Sequence, residues 1–261
     1  MQGAGLNIRW AVCGAAFGLL IGLPAFAPAA WLGGVLASAT GDQLRLADSR
    51  GTVWHGDAQL VLSGGQGSQD ALALPGRVEW ELSPTLRGFQ LSVRAACCTP
   101  RALQLTLQPG WRRFQLVVSD SSSEWPAGLL AGLGAPWNTI QPQGLLQLHS
   151  EHLSVEWIEG RISVTGAARL DALGMSSSLS TLRPVGSYRL ILAGSANRAP
   201  PTLQLQTLEG SLSLSGSGQW TGSRWSFQGE ASAAPESEPV LGNLLNMVGR
   251  RQGARSVISL G

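Results

Sequence analysis

Lysine is absent from this 261-residue chain: all 18 basic residues are arginine. A Schiff-base lysine and the lysine of a phosphate-binding P-loop are therefore excluded. Charge of either sign is sparse, at 13% of residues, and the net charge is only +2. So weak a field offers no electrostatic footprint for nucleic acid. There are three cysteines: Cys13 in an apolar run, and the adjacent Cys97 and Cys98. They supply neither a disulfide framework nor the C-x-x-C spacing of a zinc site. No G-x-S-x-G segment occurs, and the histidines are three: His55, His149 and His152. Glycine-rich stretches such as "SGSGQW" lack the strand-to-helix context of a phosphate loop, so no cofactor is expected.

Apolar residues, by contrast, make up 44% of the chain, with 34 glycines and 10 tryptophans. From Trp10 to Gly41 there is no charged side chain. This run predicts a transmembrane anchor over residues 10–32, long enough for the roughly 30 Å hydrocarbon core and flanked by Trp10 and Trp31. Residues 1–9 then read as a cytoplasmic tail, and 33–261 as an exported domain behind a single-pass membrane helix. Ala25-Phe26-Ala27 offers a competing reading, a cleaved signal peptide, which Pro28 directly after the cut disfavours. Pro24 and Pro28 are expected to kink or end the helix early. Gly14, Gly18 and Gly22 form a small-xxx-small ladder, a candidate helix-packing face for a homo-oligomer.

Beyond the anchor, period-two alternation recurs. Trp54, Ala58, Leu60 and Leu62 share a side, opposite His55, Asp57 and Gln59. The same grammar runs through Val78/Trp80/Leu82, Phe89/Leu91/Val93, Leu103/Leu105/Leu107, Leu153/Val155/Trp157 and Tyr188/Leu190/Leu192. Such alternation means antiparallel strands with one dry face and one wet face. The fold class is mainly β: a large curled antiparallel sheet, or two packed sheets, with one or two short helices. Two halves, 42–120 and 137–261, are expected on either side of a short helix within Ser121–Gly134. A second helix is expected over Glu236–Gly253, with acidic residues at its start and arginines at its end. "ISVTGAARL", "LSLSGSGQW" and "WSFQGEASA" each place a glycine after a short alternating run, a repeated hairpin grammar.

Chemistry has few places to hide. His55 and Asp57 lie two apart on a wet strand face, but no nucleophile motif accompanies them. Glu79 and Glu81 read as the same kind of face. His149 precedes the expected turn "SEH", which Glu151 and His152 complete, too thin a set for a metal site. No catalytic residue, cofactor or metal site is therefore assigned. Cys97-Cys98 reads either as a vicinal disulfide or as two thiols. Trp54, Leu60, Trp80, Leu91, Leu105, Trp157 and Trp225 form a candidate apolar face, for core packing or for a partner or lipid groove.

"RGTVWHGDAQLVL", "GRVEWELSP", the Cys97-Cys98 pair followed by proline, and "LLNMVGRRQGARSVISLG" together resemble the type II secretion system protein N (GspN) family. The resemblance spans nearly the whole chain. It implies an inner-membrane protein with a periplasmic domain in the machinery that exports folded proteins, and it carries over no catalytic residue. The expected function is a non-catalytic assembly module whose partners are other secretion proteins. The alternative is an envelope module that binds lipid or another amphiphile on the apolar face of a curled sheet.

Overall fold

The computed structural model describes residues 4–195, 199–222 and 224–261. Helix α1 (Ala4–Ala25) and helix α2 (Ala30–Ala39) lead the chain. Pro24 lies in the last turn of α1, and Pro28, in the break between the helices, forms an isolated bridge with Thr52. Proline lacks the amide a helix needs and clashes with the preceding turn. The single span expected over residues 10–32 is therefore divided. Among the described residues, no helix is long and apolar enough to cross a membrane. Residues 1–3 of the expected tail lie outside the described residues.

The rest is one antiparallel sheet of 16 strands. Its first half comprises β1 (Leu44–Gly51), β2 (His55–Ser63), β3 (Ala71–Ala73), β4 (Val78–Thr85), β5 (Gly88–Ala95), β6 (Leu103–Gly110), β7 (Arg113–Val118) and β8 (Ser121–Pro126). A 3-10 turn (Ala127–Leu133) and the single helical turn α3 (Trp137–Ile140) follow. The second half comprises β9 (Gln143–Ile158), β10 (Arg161–Ser176), β11 (Gly186–Gly194), β12 (Thr202–Gly210), β13 (Leu212–Trp220) and β14 (Trp225–Ala233). Helix α4 (Glu238–Val248) and the hairpin β15 (Arg250–Gln252) and β16 (Arg255–Leu260) close the chain.

Pairing follows chain order almost throughout: β1-β2-β4-β5-β6-β7-β9-β10-β11-β12-β13-β14-β16-β15. Short links force each strand to lie beside its predecessor. β7 pairs directly with β9, Arg113 opposite Ile158, so one sheet runs unbroken through both halves. Among the described residues the order never returns on itself, and the sheet is open.

Three expectations need correction. Residues 121–126 are a strand rather than the start of a helix, pairing with β9 from Ser121 opposite Ser150 to Pro126 opposite Leu145. Gly128 and Gly132 then weaken any α-helix, and only a 3-10 turn forms. Residues 145–158 are not two strands around a turn. β9 is one strand of 16 residues, and His152, at φ +49°, sits at a bulge within it. The C-terminal helix stops at Val248, because Gly249 is extended and Arg250–Gln252 turn back as a strand. The arginines expected at the helix end lie instead on β15, from which Arg251 reaches Glu238 at the start of α4 at 2.5 Å.

One face of the sheet is apolar, and three elements cover parts of it. Ala29 and Leu32 pack with Leu46, Ala58, Trp80 and Leu91. Leu129 of the 3-10 turn packs on Leu74, Val78, Ala95 and Cys98. Leu241, Leu244 and Leu245 of α4 seal Val185, Tyr188, Leu212 and Ala231. There the Tyr188 hydroxyl donates to the Leu212 carbonyl at 3.1 Å, and burial pushes its pKa up. The glycines of the repeated hairpin grammar also find a use: the Phe227 ring lies over Gly216 and Gly229, which face each other across β13 and β14.

Candidate functional site

The segment Gly51–Gly56 is the junction between the helices and the sheet. Gly51 has φ +84°, a conformation glycine reaches without steric cost. The Thr52 hydroxyl accepts from the amides of Trp54 and His55, each at 3.2 Å, tightening the turn between β1 and β2. The Val53 amide donates to Ala27 at 2.9 Å, and the Ala29 amide donates to Gly51 at 3.1 Å. Trp54 sits in this turn, not within a strand as the alternation suggested. Its indole donates to the Pro24 carbonyl at 2.8 Å, and its ring lies 6.3 Å from that of Phe89. Trp80 donates to the Val53 carbonyl at 3.2 Å. The Trp80 ring occupies the space over Gly56, where an added Cβ would come to 2.5 Å.

His55 and Asp57 share a face but do not pair. His55 faces Glu81 at 3.4 Å, both well exposed. Asp57 is bound by Arg77, which also reaches Asp48 at 2.8 Å. Arg77, with Arg50 beside it, holds the Asp48 carboxyl below the usual carboxylate range. Glu79 stands opposite Asp57 on one side and Arg94 on the other. His152 is exposed, with its amide donating to Asp120 at 2.6 Å and its ring 3.8 Å from the same carboxylate. His149 stands opposite Arg169. Among the described residues, no group of three or more His, Cys, Asp or Glu side chains is placed to hold a metal ion.

A second ionic pair has a buried acid and a half-buried base. Asp171 on β10 accepts two hydrogen bonds from Arg189 on β11, at 2.6 and 2.9 Å, with Arg169 at 3.5 Å. This bidentate pairing, with desolvation opposing it, lowers the Asp171 pKa. Sequence alternation did not single it out, because Asp171 and Arg189 are 18 residues apart and meet only through strand register.

Cys97 and Cys98 are joined in a disulfide at the turn after β5. The buried Cys98 packs beneath Leu129, and its carbonyl accepts from the Glu124 amide at 2.8 Å. The Thr99 hydroxyl closes the turn on Ala95.

The apolar face runs through directly opposed residues, which share a face. Trp80, Val93 and Leu103 form one row, and Leu82, Leu91, Leu105 and Val118 a second. Leu107, Leu116, Val155 and Val164 form a third. Leu60 joins this face through Leu46. Trp157 and Trp225 lie near the opposite end of the strands from the 3-10 turn and α4. Trp157 stacks against Phe114 at 5.7 Å, and Trp225 against Trp220 at 5.6 Å. The central leucines and valines, between the covering elements, are half-buried. Trp54, also expected on this face, lies in the turn before β2 with its ring against Phe89. Gly14, Gly18 and Gly22 lie on α1 with open space around them.

Residues 42–258 match the family model for the type II secretion system (T2SS), protein N. No match was found among curated proteins or among solved structures. The matched segment begins just after α2 and takes in the sheet almost entire, including the junction at Gly51–Gly56 and the cover formed by α4. The chain belongs to the type II secretion system protein N family.

Proposed function

We propose that this chain is a non-catalytic assembly component of the type II secretion machinery, held at the inner membrane by α1 with its sheet in the periplasm. The observation that carries the reading is the family match over the sheet together with an apolar helix in front of it whose large described side chains are exposed. Trp10, Val12, Phe17, Leu20 and Leu23 of α1 are each more than half exposed. Large apolar side chains left in water forgo about 1.5–3 kcal/mol each, which a bilayer supplies. The uncharged run from Trp10 to Gly41 supports the same placement. Ala27, at 5% exposure, is part of the packed junction, which favours an uncleaved anchor over a signal peptide cut at that alanine. His55 meets Glu81, Asp57 meets Arg77 and His152 meets Asp120, which favours structural roles for these groups.

The outer edge of β1 offers backbone groups for a partner strand. A photoreactive residue in place of Arg45, followed by crosslinking in intact cells, tests the proposal. The expected captures are other secretion-system proteins, from a chain that resists alkaline extraction of membranes. A chain that washes off the membrane and crosslinks to no secretion component would overturn it.

A second reading, an amphiphile-binding module, is favoured by one observation: the half-buried stripe through Leu105, Leu116 and Val155 that lies between the covering elements. Native mass spectrometry of the detergent-extracted chain tests this, with co-purifying lipid expected. Repeated recovery of bare protein would count against it.

A further inference from the structure

The strands place three two-residue hairpin tips along one edge of the sheet. They are Leu86-Arg87 between β4 and β5, Trp111-Arg112 between β6 and β7, and Glu159-Gly160 between β9 and β10. Register puts them side by side: Gly110 faces Arg113, and Arg113 faces Ile158, which in turn faces Arg161. The second and third tips are tied together. The Glu159 amide donates to the Arg112 carbonyl at 3.2 Å, and the two side chains pair at 3.7 Å. These two tips thus form one built surface, and the Leu86-Arg87 tip stands at the same end of the paired strands β5 and β6.

What it displays is unusual for water. Leu86 is 106% exposed and Trp111 is 94% exposed. A tight turn normally carries small or polar residues. Behind Trp111, the partly exposed pair Phe114 and Trp157 continues the apolar surface toward the sheet. Around it stand Arg87, Arg112, Arg113 and Arg161, all exposed, against the acids Glu156 and Glu159. The local charge is positive although the chain as a whole is close to neutral.

The same edge receives α1. The last turn of that helix is bonded to Trp54, whose ring meets Phe89, the second residue of β5 beyond the Leu86-Arg87 tip. Whatever surface holds α1 is therefore next to the rim. Tryptophan and leucine flanked by arginine suit the headgroup layer of a bilayer: the ring and aliphatic chain enter the acyl boundary while guanidinium groups meet phosphate.

We propose that these three tips form a bilayer-contact rim, in which Leu86 and Trp111 enter the membrane that holds α1 and Arg87, Arg112 and Arg161 bind anionic lipid headgroups. The sheet then stands on the membrane by its hairpin tips, with the 3-10 turn and α4 at the distal end of the strands. The proposal rests on the reading of α1 as the anchor, and the test separates the two.

Full-length protein is reconstituted into vesicles of zwitterionic and anionic phospholipid containing bromine-labelled acyl chains. An environment-sensitive fluorophore is placed on the native Cys13 of α1, or on Leu86→Cys, Trp111→Cys or Ala254→Cys in a Cys13→Ala background. Ala254 lies in the exposed turn between β15 and β16, at the distal end. Labels at 86 and 111 are expected to shift to the blue and be quenched by the brominated lipid, whereas the label at 254 stays in water. Replacing Arg87, Arg112 and Arg161 with Gln should lower tip quenching several-fold, since each basic residue near an anionic surface contributes about fivefold in partitioning.

Labels at 86 and 111 that behave like the one at 254, while Cys13 is quenched, would overturn the rim and leave the anchor intact. A Cys13 label that stays in water would overturn the anchor, with tip quenching still deciding the rim. Tips shielded from aqueous quencher but untouched by lipid bromine would mean that a protein covers them, and would overturn the proposal.

Discussion

Gly56 has no room for a side chain. An added Cβ would meet Trp80 at 2.5 Å and the Arg50 carbonyl at 2.6 Å, and the backbone oxygen cannot step aside. Gly56→Ala should cost about 1–3 kcal/mol, read as a lower urea midpoint at unchanged slope. Trp80→Ala should cost about 3–5 kcal/mol, because the ring is 7% exposed and anchors the junction. His55→Ala should be nearly silent, since Glu81, the ionic partner it faces, is well exposed as His55 is. Asp171 links stability to pH. Its carboxyl is depressed in the folded state, so its contribution is fully present above its unfolded pKa of about 3.9 and is lost as pH falls through the folded value. Asp171→Asn should cost about 1–2 kcal/mol at neutral pH, discounted because Arg189 is partly in water, and should flatten the loss of stability below pH ~4. The wet placement of His55 and Asp57 was legible from alternation alone. The role of Trp54 was not, because its hydrogen-bond partner, Pro24, is 30 residues away.

At the level of elements, the strands were legible and the breaks between regular pieces were not. Period-two patterning is dictated by a half-wet sheet, so runs such as Leu103–Leu107 announce themselves. Ser121–Pro126 carries no such run. It is a strand because β9 extends past the end of β7 and leaves its N-terminal half to be paired, a long-range cause that a local window cannot see. The helix α4 was found by its apolar stripe, but its end was misplaced, since Arg250–Gln252 find ladder partners on β16. Leu245→Ala, at a fully buried position, should cost about 2–5 kcal/mol. Hydrogen exchange should show the damage in β11 to β14, which α4 covers, rather than in β4 and β5.

Across the whole molecule, each strand contacts little beyond its two neighbours, and the three apolar clusters share no residue. Such a sheet behaves as a row of linked units rather than as a single core. Trp80→Ala should therefore accelerate exchange in β1 to β6 while β11 to β16 keep their protection. Uniform loss across the sheet would show stronger coupling than the packing provides. That one sheet would form, rather than two, was not readable from composition. It depends on β7 meeting β9 across a gap in the chain that the Ser121–Gly134 segment only seemed to fill as a helix.

That meeting point has a mechanical consequence. Between Val117 and Ser121, β9 passes from one neighbour to the next, and on its other side the register with β10 slips between Thr165 and Ala167. His152 and Gly166, both at positive φ, sit at the same level. The discontinuities line up across three strands, as a scored line does in a stiff plate. A load on the tips at 111–112 and 159–160 would bend the plate along this crease, with only the continuous backbones of β9 and β10, 16 residues each, carrying across it among these strands.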